Sequence, residues 1–249
     1  MNQLPIFRDV TVYDEQEPCP YLDTRQARLP LQIPGRRVSQ NETDQRLATG
    51  QRRTGEFVYS TSCQRCTACE PIRIPVCDFR FSRSHRRTLQ RNGRLLTPYI
   101  GPVIVDRQRI DLFNLHRRMR QLGRRESRID GEEYAWAFQR SCFDTFELSY
   151  SIENRLVCVA ICDQGADSLS AVYTFYDPRL ARLSLGTWSI LKQIEYCRQT
   201  RRRWLYLGFY IAESPNMSYK ARFRPHQRLA DGQWLTYPPG LAPKSGPAG

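Results

Sequence analysis

The sequence predicts a mixed α+β fold, and the prediction starts from a strand–helix–strand unit between residues 168 and 211. Residues 172–176 alternate as in a strand, which ends at Asp177-Pro178 because proline has no backbone donor for a sheet ladder. Thr187 suits a helix N-cap, and an apolar stripe at helical spacing follows it to Cys197. Residues 204–211 then form a second, largely buried strand.

Other segments also alternate between helix and strand patterns. Residues 106–122 and 132–142 have the periodicity of helices, and residues 84–92 form a basic helix that Gly93 ends. Two strands flank the Glu153-Asn154 turn, which predicts a hairpin. The tail, residues 238–249, is rich in proline and glycine and is predicted to be disordered.

The chain is strongly basic, with 38 Lys and Arg against 25 Asp and Glu and a net charge of +13. Most of the excess is arginine, whose planar fork pairs with phosphate and stacks on bases. RNA is therefore the leading candidate for a polyanionic partner, and a basic surface without any partner is the alternative.

The apolar residues are too scattered for a membrane protein. No stretch approaches the roughly 20 apolar residues that a membrane-spanning helix needs. The N-terminus lacks a basic start followed by an apolar run, so no secretory signal is predicted. The expected location is the cytoplasm, without membrane partners.

Three of the nine cysteines form one motif, Cys63, Cys66 and Cys69. Gaps of two residues place three sulfurs within reach of one zinc ion or iron–sulfur cluster, which needs a further ligand. Reduced cysteines that pack or sense redox conditions are the alternative. Cys142, Cys158, Cys162 and Cys197 lie singly in apolar segments and, like Cys77, are expected to be small buried hydrophobic residues.

Arginine is concentrated in the basic helix and just before it. Arg83, Arg87, Arg91 and Arg94 are spaced by four, four and three residues, so they share one helical face. Phe79 and Phe81 precede that face. Together with Arg86, this helix is predicted to contact the tRNA backbone, and the alternative is a solvated face that keeps the helix soluble.

A second cationic segment, YKARFR, lies near the C-terminus. If it is a strand, Lys220, Arg222 and Arg224 share one face, and apolar side chains occupy the other. Clustered cations are costly without an anion, which favours a binding role. The alternative is a sheet edge that charge protects from further pairing.

Long phrases of the sequence resemble one family. SLSAVYTFYDP, SLGTWSILKQIE, YLGFYI and MSYKARFRP closely resemble the C-terminal half of the aminoacyl-tRNA–protein transferases. CPYL with its following arginines, and GQRRTGEFVY, resemble the N-terminal half. The match is nearest the bacterial aspartate/glutamate leucyltransferase branch, which is related to the eukaryotic arginyltransferases.

The resemblance implies an acetyltransferase-like (GNAT) mixed sheet with a cysteine-motif region before it. The predicted units are residues 1–102, with the cysteine motif and basic helix, and residues 103–237, the catalytic domain. In a GNAT sheet two neighbouring strands splay and hold the acyl donor. The turn before the helix would contain Gly186 and Thr187, whose N-terminal position suits a tRNA phosphate. It lacks the glycine-rich loop that wraps coenzyme A.

The resemblance also implies the chemistry. The α-amine of a protein attacks the ester of an aminoacyl-tRNA, a reaction that needs no covalent intermediate and no cofactor. Tyr173 and Tyr206 are the candidate hydrogen-bond donors to the oxyanion or the amine. Lys220, Arg222 and Arg224 are the candidate ligands for the acidic acceptor. Cys19, which the family pairs with the later motif, is the candidate fourth metal ligand.

The predicted function is transfer of leucine from Leu-tRNA to proteins that begin with Asp or Glu, which marks them for degradation. One alternative is the same chemistry with arginyl-tRNA. Another is an RNA-binding protein with a metal cluster and no catalysis. The sequence does not identify a general base.

Overall fold

The computed structural model describes residues 7–122 and 128–240 of the chain. Its strands, in chain order, are β1 (Asp9–Tyr13), β2 (Gln16–Pro18), β3 (Gln26–Arg28), β4 (Leu31–Pro34), β5 (Arg52–Thr54), β6 (Phe57–Tyr59), β7 (Glu70–Pro75), β8 (Thr97–Gly101), β9 (Thr145–Ile152), β10 (Arg155–Gln164), β11 (Ser168–Tyr176), β12 (Trp204–Tyr210), β13 (His226–Ala230) and β14 (Gln233–Tyr237).

The helices are shorter than the predicted segments at several ends. They are α1 (Gln40–Ala48), α2 (Arg83–Gly93), α3 (Arg107–Met119), α4 (Gly131–Tyr134), α5 (Leu185–Gln199) and α6 (Pro215–Ser218). A π-helical turn, Ala135–Gln139, continues α4, and 3₁₀ turns occupy Pro178–Leu183 and Tyr219–Arg222.

One mixed sheet of eight strands organises the fold, in the order β14-β13-β7-β12-β11-β10-β9-β8. Only β11 and β12 are parallel neighbours in it, and α5 connects them. Smaller sheets, β1-β4-β6-β5 and β2-β3, come from the first 60 residues. The mixed α+β fold is confirmed.

The sheet is covered on both faces, as the central strand β10 shows. Cys158 and Cys162 point into a core beneath α2 and α5. Val159 and Ile161 point into a second core beneath α3 and α4. A strand buried on both faces reads as a continuous apolar run, as this one does.

Several local predictions are confirmed. Glu153 and Asn154, both at positive φ, form the two-residue turn between β9 and β10. The predicted basic helix is present as α2, which ends at Gly93; its cap, Ser82, which forms a capping box with His85, was not predicted. The start of α5 was predicted wrongly: its N-cap is Ser184, which is left-handed, so Thr187 lies inside the first turn.

The predicted boundary at residue 102 is not a boundary in the fold. β7 and β8 both precede that residue, yet β7 pairs with β12 and β13, and β8 pairs with β9. The sheet therefore takes strands from both predicted units. The final part of the predicted tail, residues 241–249, lies outside the described residues.

Membrane insertion has no support among the described helices. None of them is both long enough and apolar enough to cross a bilayer.

Candidate active site

Strands β11 and β12 begin side by side and then separate. Their pairing ends at Ser170 and Tyr206, although β11 runs on to Tyr176 and β12 to Tyr210. The pairing of β12 with β7 shifts register at the same level, where Gly208 has a φ of 78°. Glycine adopts this left-handed conformation without steric cost. The splay expected of an acetyltransferase-like sheet is therefore present.

A cavity of about 420 Å³ opens at the splay. It is lined by residues 171–173 of β11, 207–209 of β12, 51–55 around β5 and 58–59 of β6, with Lys220 beyond β12. Apolar side chains such as Leu47, Phe138 and Phe143 complete the wall. The cavity thus lies between the N-terminal strands and the large sheet.

Arg53, in the wall of this cavity, has a complete ionic partner. Its Nε and Nη2 donate to the two carboxylate oxygens of Asp163, at 2.7 and 3.0 Å. Both side chains are buried, and Thr145 also donates to the carboxylate. A bidentate pair of this kind neutralises both buried charges.

Arg52, the preceding residue, is equally buried at 8% exposure but has no such partner. Its guanidinium donates to the backbone oxygens of Gln51 and Gly208, at 2.7 and 3.2 Å. Its buried Nε has no partner, and no carboxylate pairs with the side chain, among the described residues. Burial lowers the pKa of Arg52 to about 10, so it remains a cation at neutral pH.

Lys220 brings a second basic side chain to the same wall. Its Nζ donates to the backbone oxygen of Phe209 at 2.7 Å and lies 3.1 Å from the sulfur of Met217. Burial, and secondarily the Arg52 charge, lower the pKa of Lys220 to about 7. Arg52 and Lys220 therefore hydrogen-bond to consecutive carbonyl groups of β12.

The prediction that Lys220, Arg222 and Arg224 share one strand face is wrong. Pro215 starts a helical turn, and a 3₁₀ turn follows over Tyr219–Arg222. Only Lys220 lines the cavity. Arg222 is exposed, and Arg224 donates to the backbone oxygens of Ala221 and Pro238.

Arg52 lines the cavity and was not among the candidate residues that the sequence predicted. The phrase GQRRTGEFVY was recognised as part of the resemblance, but its arginines were given no role. Which of them meets a carboxylate depends on Asp163, more than 100 residues away in sequence.

The two candidate tyrosines occupy different places. Tyr173 lines the cavity, and its hydroxyl makes no hydrogen bond with any described residue. Burial raises its pKa, so it remains a protonated donor at neutral pH. Tyr206 is not among the lining residues, and its hydroxyl accepts a hydrogen bond from Arg73 at 3.0 Å. The geometry favours Tyr173 over Tyr206.

The N-terminus of α5 lies at the far end of β11. The Tyr176 ring packs so closely on Gly186 that a Cβ there would lie 3.1 Å from Cε1. Among the described residues, the first backbone hydrogen bond of α5 runs from the Trp188 amide to the Ser184 carbonyl. The earlier amide groups, including those of Gly186 and Thr187, can therefore donate to a ligand. Tyr176 also lies close enough to Tyr219, the residue before Lys220, to contribute to the raised pKa of Tyr219.

The basic face of α2 is accessible. The four residues predicted to contact tRNA, Arg83, Arg86, Arg87 and Arg91, are all exposed, and no carboxylate among the described residues forms an ion pair with them. Helix α2 packs on α5, so its arginines belong to the layer that covers the catalytic sheet.

The four predicted metal ligands lie around one small cavity. Cys19, Cys63, Cys66 and Cys69 all line a space of about 10 Å³. Burial and the neighbouring cysteines raise the pKa of Cys69 to about 12. No group of three or more His, Cys, Asp or Glu side chains in the described ranges is arranged to hold a metal ion. The donor chemistry suits zinc or an iron–sulfur cluster, but this arrangement does not, so the cofactor stays a prediction.

Comparison with known families gives matches to both halves of the chain. The family model described as "Arginine-tRNA-protein transferase, N terminus" matches residues 17–87. The model described as "Arginine-tRNA-protein transferase, C terminus" matches residues 108–230. The cavity wall takes residues from both matched regions, since Arg52 lies in the first and Lys220 in the second.

Curated relatives match over nearly the whole length. "Aspartate/glutamate leucyltransferase" from Chromobacterium violaceum is 34% identical, covering 90% of this chain and 92% of that protein. Proteins of the same name from Vibrio campbellii and Acinetobacter baumannii are 37% and 33% identical, covering 87% and 91% of this chain, and 92% and 83% of those proteins.

A solved structure shows a more distant likeness. The L-PGS structure from Bacillus licheniformis has a TM-score of 0.43 and 11% identity, covering 61% of this chain and 48% of that one. That likeness supports no argument here. The family models and the curated relatives show that the chain belongs to the aminoacyl-tRNA–protein transferases, the family that includes the aspartate/glutamate leucyltransferases.

Proposed function

We propose that this protein transfers leucine from leucyl-tRNA to the N-terminal α-amine of proteins that begin with Asp or Glu. The observation that carries the proposal is the buried Arg52 in the cavity at the splay of β11 and β12, which no carboxylate of the described residues pairs with. A buried cation without a carboxylate is costly unless a ligand supplies one. The side chain of an acidic N-terminal residue is such a ligand.

The cavity lining favours leucine over arginine as the donated residue. Asp163 is the one carboxylate among the described lining residues, and Arg53 already occupies it. An arginyl group would add a cation beside Arg52 and Lys220 with no anion to receive it. A leucyl side chain would meet the apolar part of the wall.

Catalysis in this site requires mainly positioning. The ester of an aminoacyl-tRNA is already activated, and holding the amine against its carbonyl carbon supplies several kcal/mol. Tyr173 lines the cavity, and its hydroxyl is a candidate donor to the developing oxyanion. The first turn of α5 and the exposed face of α2 offer cationic or amide groups to the tRNA.

Transfer of labelled amino acids to short peptides tests the proposal. The protein is incubated with Leu-tRNA or Arg-tRNA and peptides that begin with Asp, Glu, Gln or Ala. We expect leucine on the Asp and Glu peptides, with about 30-fold or greater preference for Glu over Gln, because Gln leaves Arg52 unpaired.

An N-acetylated Glu peptide is the control, because its amine is blocked and it must stay unlabelled. Arginine on the acidic peptides in place of leucine would contradict the proposed donor. Tight tRNA binding with no transfer from either tRNA would favour the non-catalytic alternative.

A further inference from the structure

The Lys220 amino group lies where a proton acceptor is needed, at the cavity between the splayed strands. It has no ionic partner among the described residues. Its side chain is 8% exposed and lines the cavity between the splayed strands. Both of its hydrogen-bond acceptors, the Phe209 carbonyl and the Met217 sulfur, are uncharged. No carboxylate of the described residues pairs with it. No charged acceptor among the described residues stabilises the ammonium form, and burial favours the neutral amine.

The charges around Lys220 oppose protonation. The Arg52 guanidinium faces it from β5, and burial together with that charge lowers the pKa of Lys220 to about 7. Cys69 acts in the opposite sense and has the smallest of the three effects. The other ionisable lining groups are Arg46, which pairs with Asp9, the Arg53–Asp163 pair, and Tyr21, Tyr59 and Tyr173.

From this placement we propose that Lys220 is the general base of the transfer, taking a proton from the α-ammonium of the acceptor protein. The inference rests on the proposed function, since it assumes an α-amine acceptor. It changes the role that the sequence predicted for Lys220, which was carboxylate binding: Arg52 binds the acceptor carboxylate, and Lys220 activates the acceptor amine.

The step balances without another reactant. The neutral Lys220 amine takes one proton from the α-ammonium, and the freed nitrogen lone pair forms a bond to the ester carbonyl carbon. The carbon–oxygen bond to the ribose then breaks. The ribose oxygen takes the second proton, which the new amide nitrogen loses. The ammonium of Lys220 finally releases its proton to solvent.

The lining groups leave few alternatives to Lys220. Tyr173 lines the cavity, but its raised pKa makes it a donor and a poor acceptor at neutral pH. The Asp163 carboxylate is occupied by Arg53 and Thr145. An arginine does not deprotonate at neutral pH. Among the described lining residues, the lysine is therefore the suited base.

Two substitutions test the assignment in the full-length protein with Leu-tRNA and a Glu-initiated peptide. Lys220→Met keeps the length and apolar stem of the side chain and removes the amine. Lys220→Arg keeps a cation but removes the base. We expect kcat to fall by about 100-fold or more in both variants, with KM for the peptide changed by less than about threefold.

The pH dependence provides a readout that a structural role would not change. In the wild-type protein kcat should level off above pH about 7, where Lys220 is neutral. In Lys220→Met it should continue to rise until the α-amine itself deprotonates, near its pKa of about 8.

A stability measurement tests the protonation state without tRNA. Between pH 7 and 9 the unfolded chain holds a proton on Lys220 that the folded chain does not, so folding becomes more favourable as pH rises. We expect Lys220→Met to have the higher Tm at pH 7. The difference from wild type should shrink towards pH 9.

Each contrary outcome has a distinct meaning. If Lys220→Met raises KM for the Glu peptide at unchanged kcat, or if Lys220→Arg restores transfer, Lys220 binds the carboxylate and the base assignment is wrong, while the transferase proposal stands. A Tm difference that is constant with pH also overturns the assignment. If the wild-type protein transfers no amino acid from any tRNA, the proposed function fails and the base assignment fails with it.

Discussion

Arg52 and Arg53 follow one another in β5, and both are buried in the wall of the same cavity. Arg53 has the two oxygens of Asp163. Arg52 has two backbone carbonyls and the rings of Tyr206 and Phe209, but no carboxylate, among the described residues. The first arrangement is complete within the protein, and the proposed function completes the second with the carboxylate of the acceptor. The presence of a carboxylate partner within the protein therefore distinguishes Arg53, a structural cation, from Arg52, the proposed binding cation. Neither the sequence nor burial distinguishes the two.

The surface arginines of α2 extend the contrast. They too lack ion pairs within the described residues, but they are exposed, and water screens their charge at little cost. An unpaired exposed cation is therefore weak evidence of a ligand. An unpaired buried cation is stronger evidence, since the fold retains it at a cost.

Arg53→Met should produce the largest effect on stability. It leaves the buried Asp163 carboxylate without its counter-charge, which costs about 3–5 kcal/mol of unfolding free energy. Arg52→Met is the matched control and should change stability by about 1 kcal/mol or less, because the desolvation cost that it relieves offsets two lost hydrogen bonds.

Urea unfolding of both variants at pH 7 measures the difference between these two costs. Equal losses for the two would contradict the distinction between them, because it would mean that Arg52 also has a structural partner.

Replacing three exposed arginines of α2, Arg83, Arg87 and Arg91, by Gln should have a smaller effect, confined to tRNA binding. Each lost phosphate contact lowers the slope of log K against log salt by about 0.7–0.9, so we expect a total loss of about 2–3. Filter binding at several salt concentrations measures the slope.

Arg140→Gln is the control for this experiment. Arg140 is exposed but pairs with Glu132 at 2.7 Å, so its removal should leave the slope unchanged. An unchanged slope in the α2 variant would mean that this face is only solvated.

The sequence predicted those parts of the molecule that depend on near neighbours. The alternation in β11, the periodicity of α5 and the Glu153-Asn154 turn all specify local structure. The resemblance supplied the splay of β11 and β12, which no local pattern contains.

The site was predicted less well because it depends on distant contacts. The alternation in YKARFR suits a strand, but Pro215 starts a helical turn and directs Lys220 alone into the cavity. The importance of Arg52 emerges only when Asp163 is seen to serve Arg53. The four cysteines line one small cavity, but their role as ligands of a metal or cluster stays a prediction.

The most direct test of the central claim is the ratio of kcat/KM for a Glu-initiated peptide to that for the matching Gln peptide. Arg52→Met should reduce this ratio by about 30-fold or more, because the carboxylate loses its buried partner. The exposed Arg222→Ala is the matched control and should leave it within about twofold. A ratio that Arg52→Met preserves, or that Arg222→Ala abolishes, would contradict the role given to the cavity.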